Sequence, residues 1–152
     1  MSVQALMDFI DRSPSPYHAA AQAAELLKNA GFHALEEHQK WELTPGQGYY
    51  VTRNQSSLIA FRLPARKPES WRLTAAHSDS PTFAVKNEVL EGDKHYLRLA
   101  VEGYGGMNCA SWLDRPLTVA GRVLVAAGKG AESRLVYLDR DLLTIPSLAI
   151  HM

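Results

Sequence analysis

Apolar side chains recur at Val3, Leu6, Met7 and Ile10, the spacing of one helical face, and the pattern stops at Ser13-Pro14-Ser15-Pro16. This predicts a first helix. A second follows at once, with Ser15 as N-cap, Pro16 at the first helical position, an alanine-rich run to Lys28 and Gly31 suited to a left-handed C-terminal cap. From Trp41 the period changes. Tyr49 to Arg53 and Ser57 to Arg62 read as two strands joined by the polar turn Asn54-Gln55-Ser56. Arg72 to His77 predicts a third strand, apolar or small on both faces near its end, as expected at the centre of a mixed sheet covered by helices. His95 to Val101 alternates and is broken by Gly103-Tyr104-Gly105-Gly106. Thr118 to Ala126 and Ser133 to Leu138 predict a hairpin closed by Gly128-Lys129-Gly130. Helices followed by strands in this order give an α/β protein. Leu142 to Met152 is largely apolar and has no capping glycine or polar tail, so the chain reads as cut rather than finished.

Composition narrows the class. The 152 residues suit one domain of ordinary size, and 46% apolar with 21% charged residues is the balance of a soluble globular protein. Sixteen basic residues offset sixteen acidic ones, which argues against nucleic acid or an anionic membrane as partner. No window approaches the roughly 20 apolar residues of a membrane span. A single cysteine, Cys109, forms no internal disulfide, and Asp8 and Asp11 interrupt what a signal peptide would keep apolar, so an intracellular location is expected.

The candidate chemistry centres on His77-Ser78-Asp79. In an extended backbone positions i and i+2 share a face, so the imidazole and the carboxylate point into the same space. A metal-binding histidine and the acid that orients it are supplied in this way. The bland alternative is a histidine satisfied locally at a strand end, with Asp79 making an Asx-type turn before Pro81. His33-Ala34-Leu35-Glu36-Glu37-His38 is rich in ligands but lacks the spacing of zinc-peptidase helices and follows Gly31, so it reads as a solvated connection. The Gly103 to Gly106 run lacks the order and the lysine of a phosphate loop and reads as a bend. Asp114-Arg115 reads as either a surface pair or a buried ion pair. Cys109 reads as an inert buried thiol, with no histidine placed beside it by sequence.

An ordered set of strings carries more information than any one of them. Ser13-Pro14-Ser15-Pro16-Tyr17-His18-Ala19, Tyr50-Val51-Thr52-Arg53-Asn54, Ala76-His77-Ser78-Asp79-Ser80-Pro81, Trp112-Leu113-Asp114-Arg115, Leu117 to Val123 and Ile145 to His151 together resemble the M18 family of metallo-aminopeptidases, the aspartyl aminopeptidases. The resemblance covers nearly all of this chain but only about the N-terminal third of family members, which run to two or three domains' worth of residues. It departs at Pro116, where many members carry aspartate, and this implies an altered turn rather than altered chemistry.

The resemblance implies part of a mixed-sheet zinc-peptidase catalytic domain in residues 1–90, followed in residues 91–152 by the start of a β-rich inserted dimerisation domain, both incomplete. It implies that His77 is a metal ligand, that Asp79 is the carboxylate orienting it, and that His151 reaches a neighbouring subunit's site to hold substrate. It further implies zinc, as two divalent ions per complete site with other divalent ions as substitutes, and peptide substrates with N-terminal Asp or Glu. A homo-oligomer is implied too. The family's remaining acidic and histidine ligands and its general base match nothing in this chain, so the isolated chain is expected to be inactive. The alternative is a non-catalytic truncated homologue acting as an assembly module.

Overall fold

A computed structural model describes residues 2–90, 92 and 95–147. The chain forms two compact units, one of Met1–Asp79 with Thr118–Arg140, the other of Ser80–Leu117 with Asp141–Met152.

The first unit opens with helices α1 (Val3–Asp11) and α2 (Pro16–Asn29). Ser2 and Ser15 cap them, each hydroxyl accepting a backbone N–H three residues on, from Ala5 at 3.2 Å and from His18 at 3.4 Å. Gly31, at φ 82°, ends α2 in a Schellman arrangement: its N–H reaches the Lys28 carbonyl and that of Phe32 reaches Leu27. The chain then enters a mixed sheet of order β1-β2-β3. Strand β1 (His33–Leu35) runs parallel to β2 (Gly48–Arg53), and β2 pairs antiparallel with β3 (Ser57–Arg62) in the register Tyr49 opposite Phe61. Ala20, Tyr49 and Tyr50 are the buried apolar residues among those described. The Tyr49 hydroxyl accepts the Thr44 N–H at 2.7 Å, so its polar end is satisfied.

β1 replaces the first half of the solvated connection expected over His33 to His38. Its three residues are too few to show a period, and His33 to Leu35 becomes a strand because β2 offers it a parallel ladder; only the stretch from Glu36 onward is the exposed connection expected. The reverse holds for Arg72 to His77. This stretch is neither a strand nor buried, and Leu73 is 93% exposed. It lies across a cleft of about 820 Å³ from β3, lined by Leu58 to Arg62 on one side and Trp71 to Ala76 on the other. An apolar strand at a sheet's centre needs a ladder and cover on both faces. The described residues do not supply them.

The first unit is completed by the hairpin β6 (Ala120–Ala127) and β7 (Gly130–Tyr137), in register from Ala120 opposite Tyr137 to Ala127 opposite Gly130, with Gly128 at φ 56° in the connection. This matches the glycine-rich turn read from the sequence.

The second unit contains β4 (Thr82–Leu90), which has no counterpart among the strands expected from periodicity, paired antiparallel with β5 (Arg98–Tyr104). β5 begins three residues after His95 and continues through Gly103, so the break falls at Gly105, φ 77°. A short 3-10 helix (Cys109–Trp112) follows, with Trp112 edge-on to Phe83 at 5.5 Å. Asp114, at φ 54°, clasps the returning chain: its N–H donates to the Ile145 carbonyl at 2.9 Å, and its carboxylate accepts the N–H and the hydroxyl of Ser147. These bonds to Ser147 lower the Asp114 pKa below the usual carboxylate value. Arg115 donates to the Ser111 carbonyl at 3.3 Å. Asp114 is therefore a turn clasp rather than half of an ion pair with its neighbour.

Candidate metal site

His77 and Asp79 close the first segment of the first unit. Their side chains meet, His77 Nδ1 to Asp79 Oδ1 at 2.9 Å. An ionised carboxylate only accepts, so Nδ1 carries the proton and the Nε2 lone pair is left to face outward. The imidazole is 92% exposed and the carboxylate 27%, so the acid is the sheltered partner and the ring the presented one. Between them, the Ser78 hydroxyl donates to the carbonyl of Ser56 at 3.0 Å, which ties this segment to the turn between β2 and β3. The juxtaposition expected from i, i+2 geometry is present even though the strand is not.

This donor set fits a zinc-type centre as one imidazole with its orienting acid. Among the described residues no group of three or more His, Cys, Asp or Glu side chains converges on one point, so the pair supplies one ligand and no chelate. Glu37, in the ligand-rich stretch, instead reaches Arg53 at 3.7 Å, and His33 Nε2 lies 3.3 Å from the Gln47 side chain. Cys109, expected to be buried, is exposed in the 3-10 helix, because that helix presents its first residue to solvent. His151 lies outside the described residues.

His18 did not stand out in the sequence beyond its place in a motif. It is half-buried at the start of α2, with Nδ1 2.7 Å from the Ser15 hydroxyl and its ring 6.4 Å from that of Tyr137, and burial lowers its pKa. Its setting is that of a packed histidine whose ring nitrogen is satisfied by the helix cap.

Residues 9–152 match the family model described as aminopeptidase I zinc metalloprotease (M18). The chain belongs to the M18 aminopeptidase family. An aspartyl aminopeptidase of Dictyostelium discoideum is 46% identical over 149 residues, covering 96% of this chain and 31% of the relative. Among solved structures, that of Chaetomium thermophilum mApe1 is similar at a TM-score of 0.86 and 35% identity, covering 97% of this chain and 35% of its own. The S. cerevisiae mApe1 dodecamer is similar at 0.83 and 32%, with 97% and 36% covered. The chain therefore spans about a third of the length of the M18 relatives it matches. The mixed α/β fold is that of this part of the M18 structures. No helix among the described residues is long and apolar enough to cross a membrane.

Proposed function

We propose that this chain is the N-terminal portion of a metal-dependent aminopeptidase that removes N-terminal Asp or Glu from peptides. The observation that carries the reading is the His77–Asp79 pair at 2.9 Å, with Nε2 of an exposed imidazole directed outward. In this reading His77 is a zinc ligand and Asp79 holds it in the Nδ1–H tautomer, which raises its basicity toward the metal. Bound zinc, in a centre of two ions, would supply Lewis acidity toward a water and the scissile carbonyl. The chain's own residues then orient one ligand, and His151 holds substrate across a subunit boundary. Family membership, with the Dictyostelium discoideum relative named an aspartyl aminopeptidase, supports the acidic preference. A homo-oligomer is supported by the dodecamer formed by the S. cerevisiae relative. Residues 1–90 would begin the catalytic domain and residues 91–152 the inserted dimerisation domain, with the β6–β7 hairpin reaching back to the N-terminal unit. A cytoplasmic location belongs to the same proposal.

One imidazole without a chelating partner does not hold zinc tightly, so the 152 residues alone are expected to bind no stoichiometric metal and hydrolyse nothing. In the complete gene product, His77→Ala should remove zinc and turnover together. Full zinc content with normal activity in that variant would take His77 off the ligand list. The exposed apolar side chains favour a second reading, an assembly module without catalysis. The intact mass of the gene product from its own cells separates the two. A species well above 16.8 kDa supports the aminopeptidase, and one at 16.8 kDa the module.

A further inference from the structure

The segment carrying His77 is not held by a strand ladder, so something else must fix the pair if it is to present a ligand at one place. One tie is the hydrogen bond from Ser78, the residue between His77 and Asp79, to the Ser56 carbonyl. Ser56 ends a turn that is itself under strain. Asn54 and Gln55 both have positive φ, 51° and 57°, and the left-handed region suits Asn but strains a residue such as Gln. Such a turn keeps one shape only when its surroundings impose it. Here the hairpin β6–β7 does so. Arg122 Nη1 donates to the Asn54 carbonyl at 2.9 Å and to its side-chain oxygen at 3.2 Å, while the guanidinium lies over the Tyr17 ring at 4.6 Å. The Ser133 hydroxyl donates to Gln55 Oε1 at 2.7 Å.

We propose that Arg122 and Ser78 are positioning residues for the metal ligand. Arg122, from a hairpin some forty residues beyond the site in sequence, locks the Asn54–Gln55 turn, and Ser78 hangs the His77–Asp79 pair from the carbonyl that follows it. This rests on the reading of His77 as a zinc ligand. Residues that orient a ligand typically change metal affinity about 10- to 100-fold when removed.

The test is the zinc dissociation constant of the complete gene product, measured by competition with a chromophoric chelator, for wild type, Ser78→Ala, Arg122→Met, Arg122→Lys and His77→Ala. Ser78→Ala and Arg122→Met should each weaken zinc binding about tenfold or more, and Arg122→Lys, which keeps the charge but not the planar fork that stacks on Tyr17 while donating to Asn54, should recover only a minor part of the loss. The thermal midpoint of Ser78→Ala should stay at the wild-type value, because only one exposed hydroxyl is lost. If Arg122→Met does not fold, Ser78→Ala decides alone. Wild-type affinity in Ser78→Ala, with zinc lost from His77→Ala, overturns the positioning role and leaves the ligand assignment standing. Zinc retained by His77→Ala overturns both.

Discussion

At the scale of single residues, two histidines of this chain show how local surroundings separate a presented group from a packed one. His77 stands almost fully in solvent with one nitrogen on Asp79, whereas His18 is half-buried with its Nδ1 against the cap of its own helix. Burial favours the neutral form of His18 and lowers its pKa from the ordinary 6.5. The unfolded chain then takes up a proton at a higher pH than the folded one. His18 therefore contributes stability above about pH 6.5 that is lost as the pH falls through the lowered folded value. Urea melts of the complete protein between pH 8 and pH 5 should show a decline that His18→Gln removes; an identical pH dependence in the variant would show that the effect comes from other groups. The i, i+2 spacing of His77 and Asp79 made their meeting legible from sequence alone. What the sequence did not reveal is that Ser78 has a partner 22 residues away and that Arg122 stands behind that partner, because such bonds leave no local pattern.

At the scale of elements, caps and turns are legible in the sequence wherever the residue itself imposes the geometry. Ser15-Pro16 starts α2, Gly31 ends it, and Gly128 turns the β6–β7 hairpin. Strands were harder, since their existence depends on a neighbour. β1 forms from three unremarkable residues beside β2, β4 forms opposite β5, and Arg72 to His77 has the composition of a strand without a ladder. Gly48 marks a constraint that periodicity also hides. A Cβ there would sit 2.7 Å from the Phe32 ring, which is backed by the Arg62 guanidinium at 5.0 Å. Gly48→Ala should accordingly destabilise the β1–β2 layer by about 1–3 kcal/mol, the usual cost of overpacking. A midpoint unchanged in a chemical denaturation series would mean that the ring moves aside freely.

At the scale of the whole molecule, apolar side chains outrun the core available to them. Val3, Ile59, Leu73, Leu97 and Leu124 are each more than two-thirds exposed, while the buried apolar residues among those described are one alanine and two tyrosines. Apolar side chains left in water in such numbers favour association. The 152-residue chain expressed alone should therefore associate or aggregate, read as a mass above 16.8 kDa by light scattering coupled to size exclusion. A monomer with a sharp two-state melt would count against it. The same surface is consistent with a chain that spans about a third of its M18 relatives.

The sequence by itself determined the two helices with the caps of the second, the two glycine- and polar-turn hairpins, the meeting of His77 with Asp79 and the family, because caps, turns and short motifs act through neighbours in the chain. Tertiary structure alone decided that β1 and β4 are strands and that Arg72 to His77 is not. It also decided that Asp114 clasps Ser147 and that Arg122 braces the turn from which the metal-site segment hangs. Each of these depends on a partner remote in sequence, and a ladder, a clasp or a brace exists only where folding brings that partner within hydrogen-bonding distance.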